Sequence, residues 1–148
     1  MVLLNQLNTL FKKHGVKIAY LFGSQKEKGL EFLNGNPVEV DRGSDLDVGI
    51  VFKVFPKDAY RVYGEIYADL VDLLYPFDVD IVFLQETNPL FQYEAIKGEI
   101  IFCDEQDFLD KYEELVMKKA EDLRCKKGEF EMDFLQAVKD GYFTIEHR

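Results

Sequence analysis

Two pairs of aspartates, each with one residue between its members, are the side chains of this sequence best suited to chemistry. Asp45 and Asp47 form the first pair, and Asp78 and Asp80 form the second. Both pairs lie in segments with the alternation of a β-strand, so the carboxylates of a pair project from one face about 6.5–7 Å apart. Carboxylates at that distance hold hard cations, Mg²⁺ or Mn²⁺ rather than zinc. If the two strands are neighbours, Asp80 lies across from Asp45 and Asp47, and three carboxylates converge.

The use of serine is a second signal. The chain has two serines, Ser24 and Ser44, and each follows a glycine, although the composition predicts only about 0.1 such pairs. Where a strand ends, Gly23 lets the backbone approach a ligand, and the Ser24 hydroxyl with the following amides can donate to phosphate oxygens. Ser44 directly precedes Asp45. These features suit a phosphate-binding site formed by Gly23, Ser24 and Ser44 beside the carboxylates, although a lone Gly-Ser pair is ordinarily just a turn.

The alternative interpretation of both aspartate pairs is structural. With 14 aspartates in 148 residues, about one such pair is expected by chance. Asp45 and Asp47 could be solvated strand residues, and Asp78 and Asp80 could be charges that protect an edge strand from aggregation. Asp78 begins its strand, which also suits a cap or turn residue. Spacing alone leaves the metal site and the structural interpretation both open.

The elements that must position these residues follow from hydrophobic periodicity. Residues 25–43 are polar and interrupted by Asn-Gly-Asn-Pro, so we expect a long exposed loop or a small hairpin there. Gly128 is expected to end the last helix. The whole pattern predicts an α+β fold, a small mixed β-sheet flanked by helices. The predicted elements are a helix over about 2–14, strands Val16–Phe22 and Leu46–Phe52, a helix from Ala59 to Leu74, strand Asp78–Leu84, a two-turn helix after Asn88-Pro89 that Gly98 closes, strand Glu99–Cys103 and a helix over about 105–126.

Composition and charge limit the partners. The 148 residues suit one hydrophobic core, which we assign to residues 1–126, followed by a C-terminal tail over 127–148 with apolar residues at helical spacing. The formal net charge of −10 argues against direct binding of nucleic acid, which needs a basic face. No apolar run approaches the roughly 18 residues that span a bilayer, and the first residues lack a signal-peptide pattern. We expect a cytoplasmic protein without a membrane partner.

Three motifs in order resemble the nucleotidyltransferase superfamily of DNA polymerase β type. They are LFGS at 21–24, GSDLDVGIVF at 43–52 and DVDIVFL at 78–84, and that family carries Gly-Ser, then Asp-x-Asp, then a third aspartate on a nearby strand. The small size, the order of elements and the stretch at 91–123 resemble its minimal branch, the MntA-like antitoxins paired with HEPN-domain toxins. The resemblance implies a polymerase β-like fold over about residues 1–126.

The resemblance also implies a function. Gly23 and Ser24 would bind nucleotide phosphate, Asp45 and Asp47 would hold Mg²⁺, and Asp80 would complete the metal site and help activate the acceptor hydroxyl. The expected reaction is Mg²⁺-dependent transfer of AMP from ATP to a hydroxyl, in the first place a tyrosine of a cognate HEPN ribonuclease toxin. Two alternatives are a non-catalytic antitoxin that occludes its partner and an adenylyltransferase of small molecules such as aminoglycosides.

The sequence departs from the family pattern in two places. Relatives commonly keep about ten residues between Gly-Ser and Asp-x-Asp, whereas here 20 residues separate Ser24 from Asp45. The small residue and arginine expected after Gly-Ser are replaced by Gln-Lys-Glu-Lys at 25–28. Both departures fall in the segment that would position the nucleotide.

Overall fold

The fold is a four-stranded mixed sheet with helices on both faces. It is described from a computed structural model that covers residues 2–41 and 43–139. The strand order is β3-β2-β1-β4, in which β2 and β3 are parallel and the other neighbours antiparallel. The elements are α1 (Val2–Lys13), β1 (Val16–Phe22), α2 (Lys26–Leu33), β2 (Asp45–Phe52), α3 (Ala59–Leu73), β3 (Asp78–Phe83), a 3₁₀ turn (Leu84–Glu86), α4 (Pro89–Ile96), β4 (Glu99–Cys103) and α5 (Gln106–Lys139). The predicted α+β class with a small mixed sheet is confirmed.

One face of the sheet carries the main hydrophobic core. Along β2 and β3, the apolar residues that alternate with the aspartates point into this core, as the period of two predicts. α1, α2 and α3 cover them with the apolar stripes of their own helices. Its fully buried large side chains are Leu7, Phe11, Leu21, Leu33, Leu46, Ile50, Phe52, Ile66, Leu70 and Leu74.

The opposite face is covered by α4 and α5. A smaller cluster there joins strand residues to helix residues, including Tyr20 of β1, Val51 of β2 and Leu109 of α5. The buried Tyr20 hydroxyl donates to Glu113 of α5 at 2.9 Å. Gly98 is required where α4 meets β1, because a Cβ at that position would overlap the carbonyl oxygen of Leu21. The two helices cover β1 on this face, where Phe91 of α4 packs edge-on against Phe22, the β1 residue paired with Asp47.

Helix ends follow the local signals that the sequence carries. The Asn88 side chain accepts a hydrogen bond from Phe91 N–H at 2.9 Å, and Pro89 occupies the first helical position of α4. Asp58 caps α3 in the same way, by accepting from Arg61 N–H at 3.3 Å. The predicted two-turn helix after Asn88 is confirmed.

The expected loop or hairpin over 25–43 is wrong, because α2 occupies Lys26–Leu33. This helix has only eight residues, half of them charged, which hides its short buried stripe. Gly29 is the key position, since a Cβ there would press against the Leu21 and Leu46 side chains. A residue that looks like a loop signal in the sequence is instead what allows the helix to lie on the sheet.

The expected end of the last helix at Gly128 is also wrong, since α5 continues to Lys139. A glycine inside a helix costs only about 1 kcal/mol relative to alanine, and no atom lies within 4 Å of a Cβ built on Gly128. The boundary predicted between residues 126 and 127 therefore falls inside α5. Residues 140–148 of the predicted tail lie outside the described residues. In the described part of the chain, no helix has the length and apolar character to cross a membrane.

Candidate active site

The parallel pairing of β2 and β3 brings the aspartates to one end of the sheet. In the register, Asp47 is the partner of Asp80, and Asp45 is the partner of Asp78. Neighbouring strands are about 4.8 Å apart, so Asp47 and Asp80 lie side by side. The expected proximity of the two strands is confirmed. Asp78 is exposed at the very start of β3, where its position also suits the structural role considered above.

The carboxylates at this end of the sheet destabilise one another. Burial raises the pKa of Asp47 above its usual range, and so do the charges of Asp80 and then Asp45. None of the three forms an ion pair with a lysine, arginine or histidine among the described residues. A bound divalent cation would remove this repulsion.

The donor set fits an ion that takes part of its coordination from substrate. Within residues 2–41 and 43–139, no three His, Cys, Asp or Glu side chains are already arranged around one metal position. Mg²⁺ is usually held by one or two carboxylates, with waters and substrate phosphates as its other ligands. Asp47 and Asp80 supply the adjacent pair, and Asp45 is an exposed carboxylate within reach of the same charge cluster.

Gly23 joins the end of β1 to the aspartates. It adopts a positive φ of 78°, which disfavours any residue with a side chain. A Cβ at this position would overlap Oδ2 of Asp47. The backbone of the Gly-Ser turn therefore lies directly against the Asp47 carboxylate, and only glycine leaves the space for that contact.

α2 begins just after the Gly-Ser turn, at Lys26. The residue that precedes the helix, Gln25, makes no side-chain capping hydrogen bond. Lys26 N–H donates to the Gly23 carbonyl at 3.5 Å, and the N–H groups that follow it in the first turn are not occupied by a cap. Ser24 is exposed beside them. Free N–H groups at a helix start together with a hydroxyl suit an anion such as a phosphate. The sequence predicts the hydroxyl and amide donors here but does not predict the helix that orients them.

Gln25 and Tyr63 are two neighbours of the site that the sequence analysis missed. Gln25 is only 8% exposed, and its Oε1 has no hydrogen-bond partner among the described residues. Tyr63 of α3 is 36% exposed. Burial first, and then the charge of Asp80, raise the pKa of Tyr63. Neither residue carries a motif that would single it out before α2 and α3 are placed.

Ser44 lies at the same end of the sheet, immediately before β2. Its N–H donates to the carbonyl of Asp41 at 3.4 Å, and Lys28 of α2 pairs with the Asp41 carboxylate at 2.9 Å. These contacts tie the segment before β2 back to α2. Ser44 is thus brought to the aspartates, whereas no contact with Gly23 or Ser24 is established for its hydroxyl.

Together these features define a class of protein. A Gly-Ser turn between a strand and a helix, set against an Asp-x-Asp strand and a third aspartate on the parallel neighbour, is the nucleotidyltransferase arrangement to which the motifs were similar. The family described as "Polymerase beta, Nucleotidyltransferase" matches residues 5–107, and the chain belongs to this family.

Solved structures show the same fold in small toxin–antitoxin proteins. A chain from a mutant MntA–HpeT toxin–antitoxin complex superposes with a TM-score of 0.64 at 16% identity, over 89% of this chain and 98% of that one. A chain from the tri-AMPylated Shewanella oneidensis HEPN toxin in complex with MNT antitoxin gives 0.61 at 15% identity, over 90% and 97%. A chain from a toxin–antitoxin structure with AMP-PNP gives 0.61 at 17% identity, over 89% and 98%. The resemblance to the minimal nucleotidyltransferases is confirmed at the level of fold.

No curated protein is significantly similar to the chain in sequence.

Proposed function

We propose that this chain is a Mg²⁺-dependent adenylyltransferase that moves AMP from ATP to a hydroxyl. The acceptor is a tyrosine of a cognate HEPN ribonuclease toxin, and the transfer makes this chain the antitoxin of the pair. The observation that carries the proposal is the contact between the Gly-Ser turn and the aspartate cluster. Gly23 lies against Asp47, which is itself the partner of Asp80. Phosphate donors and metal ligands are therefore adjacent.

Each residue has a role in this reaction. Gly23, Ser24 and the first N–H groups of α2 bind and orient the triphosphate, with Ser44 beside them at the start of β2. Asp45, Asp47 and Asp80 hold Mg²⁺, or Mn²⁺ in its place. When bound, the cation neutralises phosphate charge and lowers the pKa of the acceptor hydroxyl.

The transfer needs only ATP and the acceptor hydroxyl as reactants. The acceptor oxygen forms a bond to the α-phosphorus of ATP while the bond to the β-phosphate oxygen breaks, and pyrophosphate leaves. Asp80 would help to activate the acceptor hydroxyl, because its strand position is beside that of Asp47 in the parallel register and a carboxylate can accept the proton of a hydroxyl. The products are the adenylylated acceptor and pyrophosphate.

The partner is supported by the proteins that share the fold. One was solved as an MNT antitoxin with a tri-AMPylated HEPN toxin, and another toxin–antitoxin structure contains AMP-PNP. A nucleotide analogue and an AMP-modified toxin are what an ATP-dependent antitoxin of this class would be found with. These similarities support the acceptor class, and the site geometry supports the chemistry.

Labelled ATP tests the proposal directly. The chain is incubated with Mg²⁺, ATP labelled at the α-phosphate and a candidate HEPN protein from the same organism, and label on the HEPN protein is measured. We expect Asp47→Asn to reduce transfer at least about 100-fold, as for loss of a metal ligand. Asp72→Asn, an exposed aspartate of α3, is the matched control and should stay within about twofold. Absence of transfer by the wild type, or equal transfer by Asp47→Asn, would contradict the proposal.

A non-catalytic antitoxin is the second candidate. It is favoured by one observation, the formal net charge of −10, which would attract a basic partner surface. In that case the domain would silence its partner by covering it. An Asp45→Asn/Asp47→Asn variant that still protects cells from the HEPN protein would favour occlusion over transfer.

A further inference from the structure

A second cleft lies at the opposite end of β2 from the aspartates. Its volume is about 630 Å³, and it is formed between α5 and the segment from Gln85 to Gln92. β2 has eight residues, so its two ends are about 23 Å apart at 3.3 Å per residue. The cleft is therefore separate from the candidate active site. The residues that line it are Lys53, Gln85, Thr87, Pro89, Gln92, Phe108, Lys111, Tyr112, Leu115, Val116 and Lys119.

Most of the uncharged polar groups of this cleft are already used within the protein. The Gln85 carboxamide accepts from Phe52 N–H at 2.8 Å and donates to Phe52 C=O at 2.7 Å. Gln92 donates to the carbonyl of Thr87 at 2.9 Å and accepts from the Tyr112 hydroxyl at 2.7 Å. These bonds hold the wall in place and leave recognition to charge and apolar contact.

The charge of the cleft is opposite to that of the chain. Three lysines line it, although the formal net charge of the protein is −10. Lys53 has one acidic neighbour, Glu105, at 3.6 Å. Lys111 and Lys119 form no ion pair with any acidic residue of the described part of the chain. Two exposed cations thus remain available to an anionic ligand.

The two free lysines flank an apolar contact. Lys111, Leu115 and Lys119 follow one another at intervals of four residues on α5, so they lie along one side of the helix. Leu115 is 49% exposed between them. Eight residues of helix separate the two lysine Cα atoms by about 12 Å. A single small anion cannot reach both, whereas carboxylates three or four residues apart on an extended segment can.

We propose that this cleft docks an acidic segment of a partner protein, in which two carboxylate side chains flank an apolar one that packs on Leu115. A second copy of this chain is opposed by the shared net charge of −10. The docking surface is distinct from the site of transfer, so it would hold a partner while an acceptor elsewhere on that partner reaches the aspartates. The use of a HEPN protein as the binding partner rests on the proposed function, but the docking itself does not require catalysis.

Charge reversal tests this assignment. The affinity for the HEPN protein proposed as partner is measured by calorimetry without ATP or Mg²⁺, at two salt concentrations. Lys111→Glu/Lys119→Glu should weaken binding at least about tenfold and reduce its salt dependence. Lys118→Glu/Lys126→Glu is the matched control, because both lysines are exposed on α5, are also eight residues apart and do not line the cleft. The control should stay within about twofold.

Further variants separate the possible outcomes. Leu115→Ser should weaken binding by a few fold without changing charge, and thermal unfolding verifies that each variant is folded. The binding assay contains neither ATP nor Mg²⁺, so binding that depends on the lysines would stand even if transfer by the wild type failed. Unchanged affinity of Lys111→Glu/Lys119→Glu, equal weakening by the control pair, absence of a wild-type complex, or a homodimer dissociated by the charge reversal would each overturn the proposal.

Discussion

The two ends of β2 and β3 treat polar groups in opposite ways. Where the strands begin, Asp47 and Asp80 are placed side by side without a cationic partner among the described residues. Where they end, Gln85 forms two hydrogen bonds with the backbone of Phe52. Unpaired polar groups cost free energy, whereas paired ones stabilise the fold. The difference teaches that the far end contributes to the stability of the sheet, whereas the near end leaves two neighbouring carboxylates uncompensated, which is why we propose a ligand there.

Two further features extend this contrast to the segments around the sheet. The near end also contains Gln25, a buried side chain whose Oε1 lacks a partner within the described residues. At the far end, even the hydroxyl of Tyr112 is engaged, by Gln92 at 2.7 Å. Substitutions at each end of the two strands test this contrast.

The largest expected effect separates activity from stability. Asp47→Asn should lower AMP transfer at least about 100-fold, whereas Gln85→Ala, measured well below its unfolding temperature, should stay within about threefold of wild type. The two rates are compared under identical ATP and Mg²⁺ concentrations. A comparable loss of transfer in Gln85→Ala would show that the two ends are not functionally separate.

The second prediction concerns stability at the far end. Gln85→Ala removes both hydrogen bonds to Phe52 and leaves its buried N–H and C=O without partners, so the free energy of unfolding should fall by about 2–3 kcal/mol. Gln106→Ala is the control, because its side chain makes one exposed hydrogen bond, to Asp110, and should cost less than about 0.5 kcal/mol. Urea titration measures both. Equal losses would contradict the stabilising role of the far end.

Two glycines with similar backbone angles isolate the contact at the near end. Gly15 and Gly23 have φ of 73° and 78°, so alanine strains both by about 1 kcal/mol. Only at Gly23 does the added Cβ meet Asp47, since nothing lies within 4 Å of one at Gly15. We expect Gly23→Ala to reduce transfer about tenfold or more and Gly15→Ala to change stability alone. Equal AMP transfer by the two variants would show that the contact between Gly23 and Asp47 is not needed for the reaction.

The smallest predicted effect compares two aspartates whose pKa values shift in opposite directions. The pKa of Asp47 is raised, chiefly by burial, so its ionisation opposes folding, and stability falls as the pH rises above the unfolded value of about 3.9. The pKa of Asp69 is lowered, chiefly by its hydrogen bond with His14 at 3.0 Å, so its ionisation favours folding above that same value. Without divalent cations at pH 7, Asp47→Asn should raise Tm and Asp69→Asn should lower it, each by about 1–3 °C.

Thermal unfolding followed by circular dichroism at pH 3, 5 and 7 measures these shifts. Both differences should shrink toward pH 3, where the carboxyl groups become protonated in the unfolded chain. A destabilising Asp47→Asn, or differences that do not depend on pH, would contradict the assigned charge states.

The sequence was sufficient for the strands and for the aspartates, because the aspartates of β2 and β3 alternate with apolar residues that face the core, whereas β1 is recognisable as a short apolar run. Asp47 and Asp80 could be predicted as neighbours once β2 and β3 were assumed to pair. α2 could not, because its buried stripe is short and Gly29 resembles a loop residue until Leu21 and Leu46 are seen beneath it. Gln25 was missed for the same reason, since its burial depends on that helix.

The continuation of α5 through Gly128 was missed for a different reason. The helical hydrogen bonds on both sides outweigh the modest local preference of one glycine. The metal ligands, the nucleotide and the acceptor remain predictions, and so does the division of the chain after residue 126.

The parallel register of β2 and β3 links correct folding to the candidate active site. A shift of β3 by one residue in the register would turn the Asp80 side chain into the hydrophobic core and place Val79 beside Asp47. Misassembly and loss of the acidic trio would then be the same event. Transfer per molecule should for that reason report on correct strand pairing more sharply than helix content does.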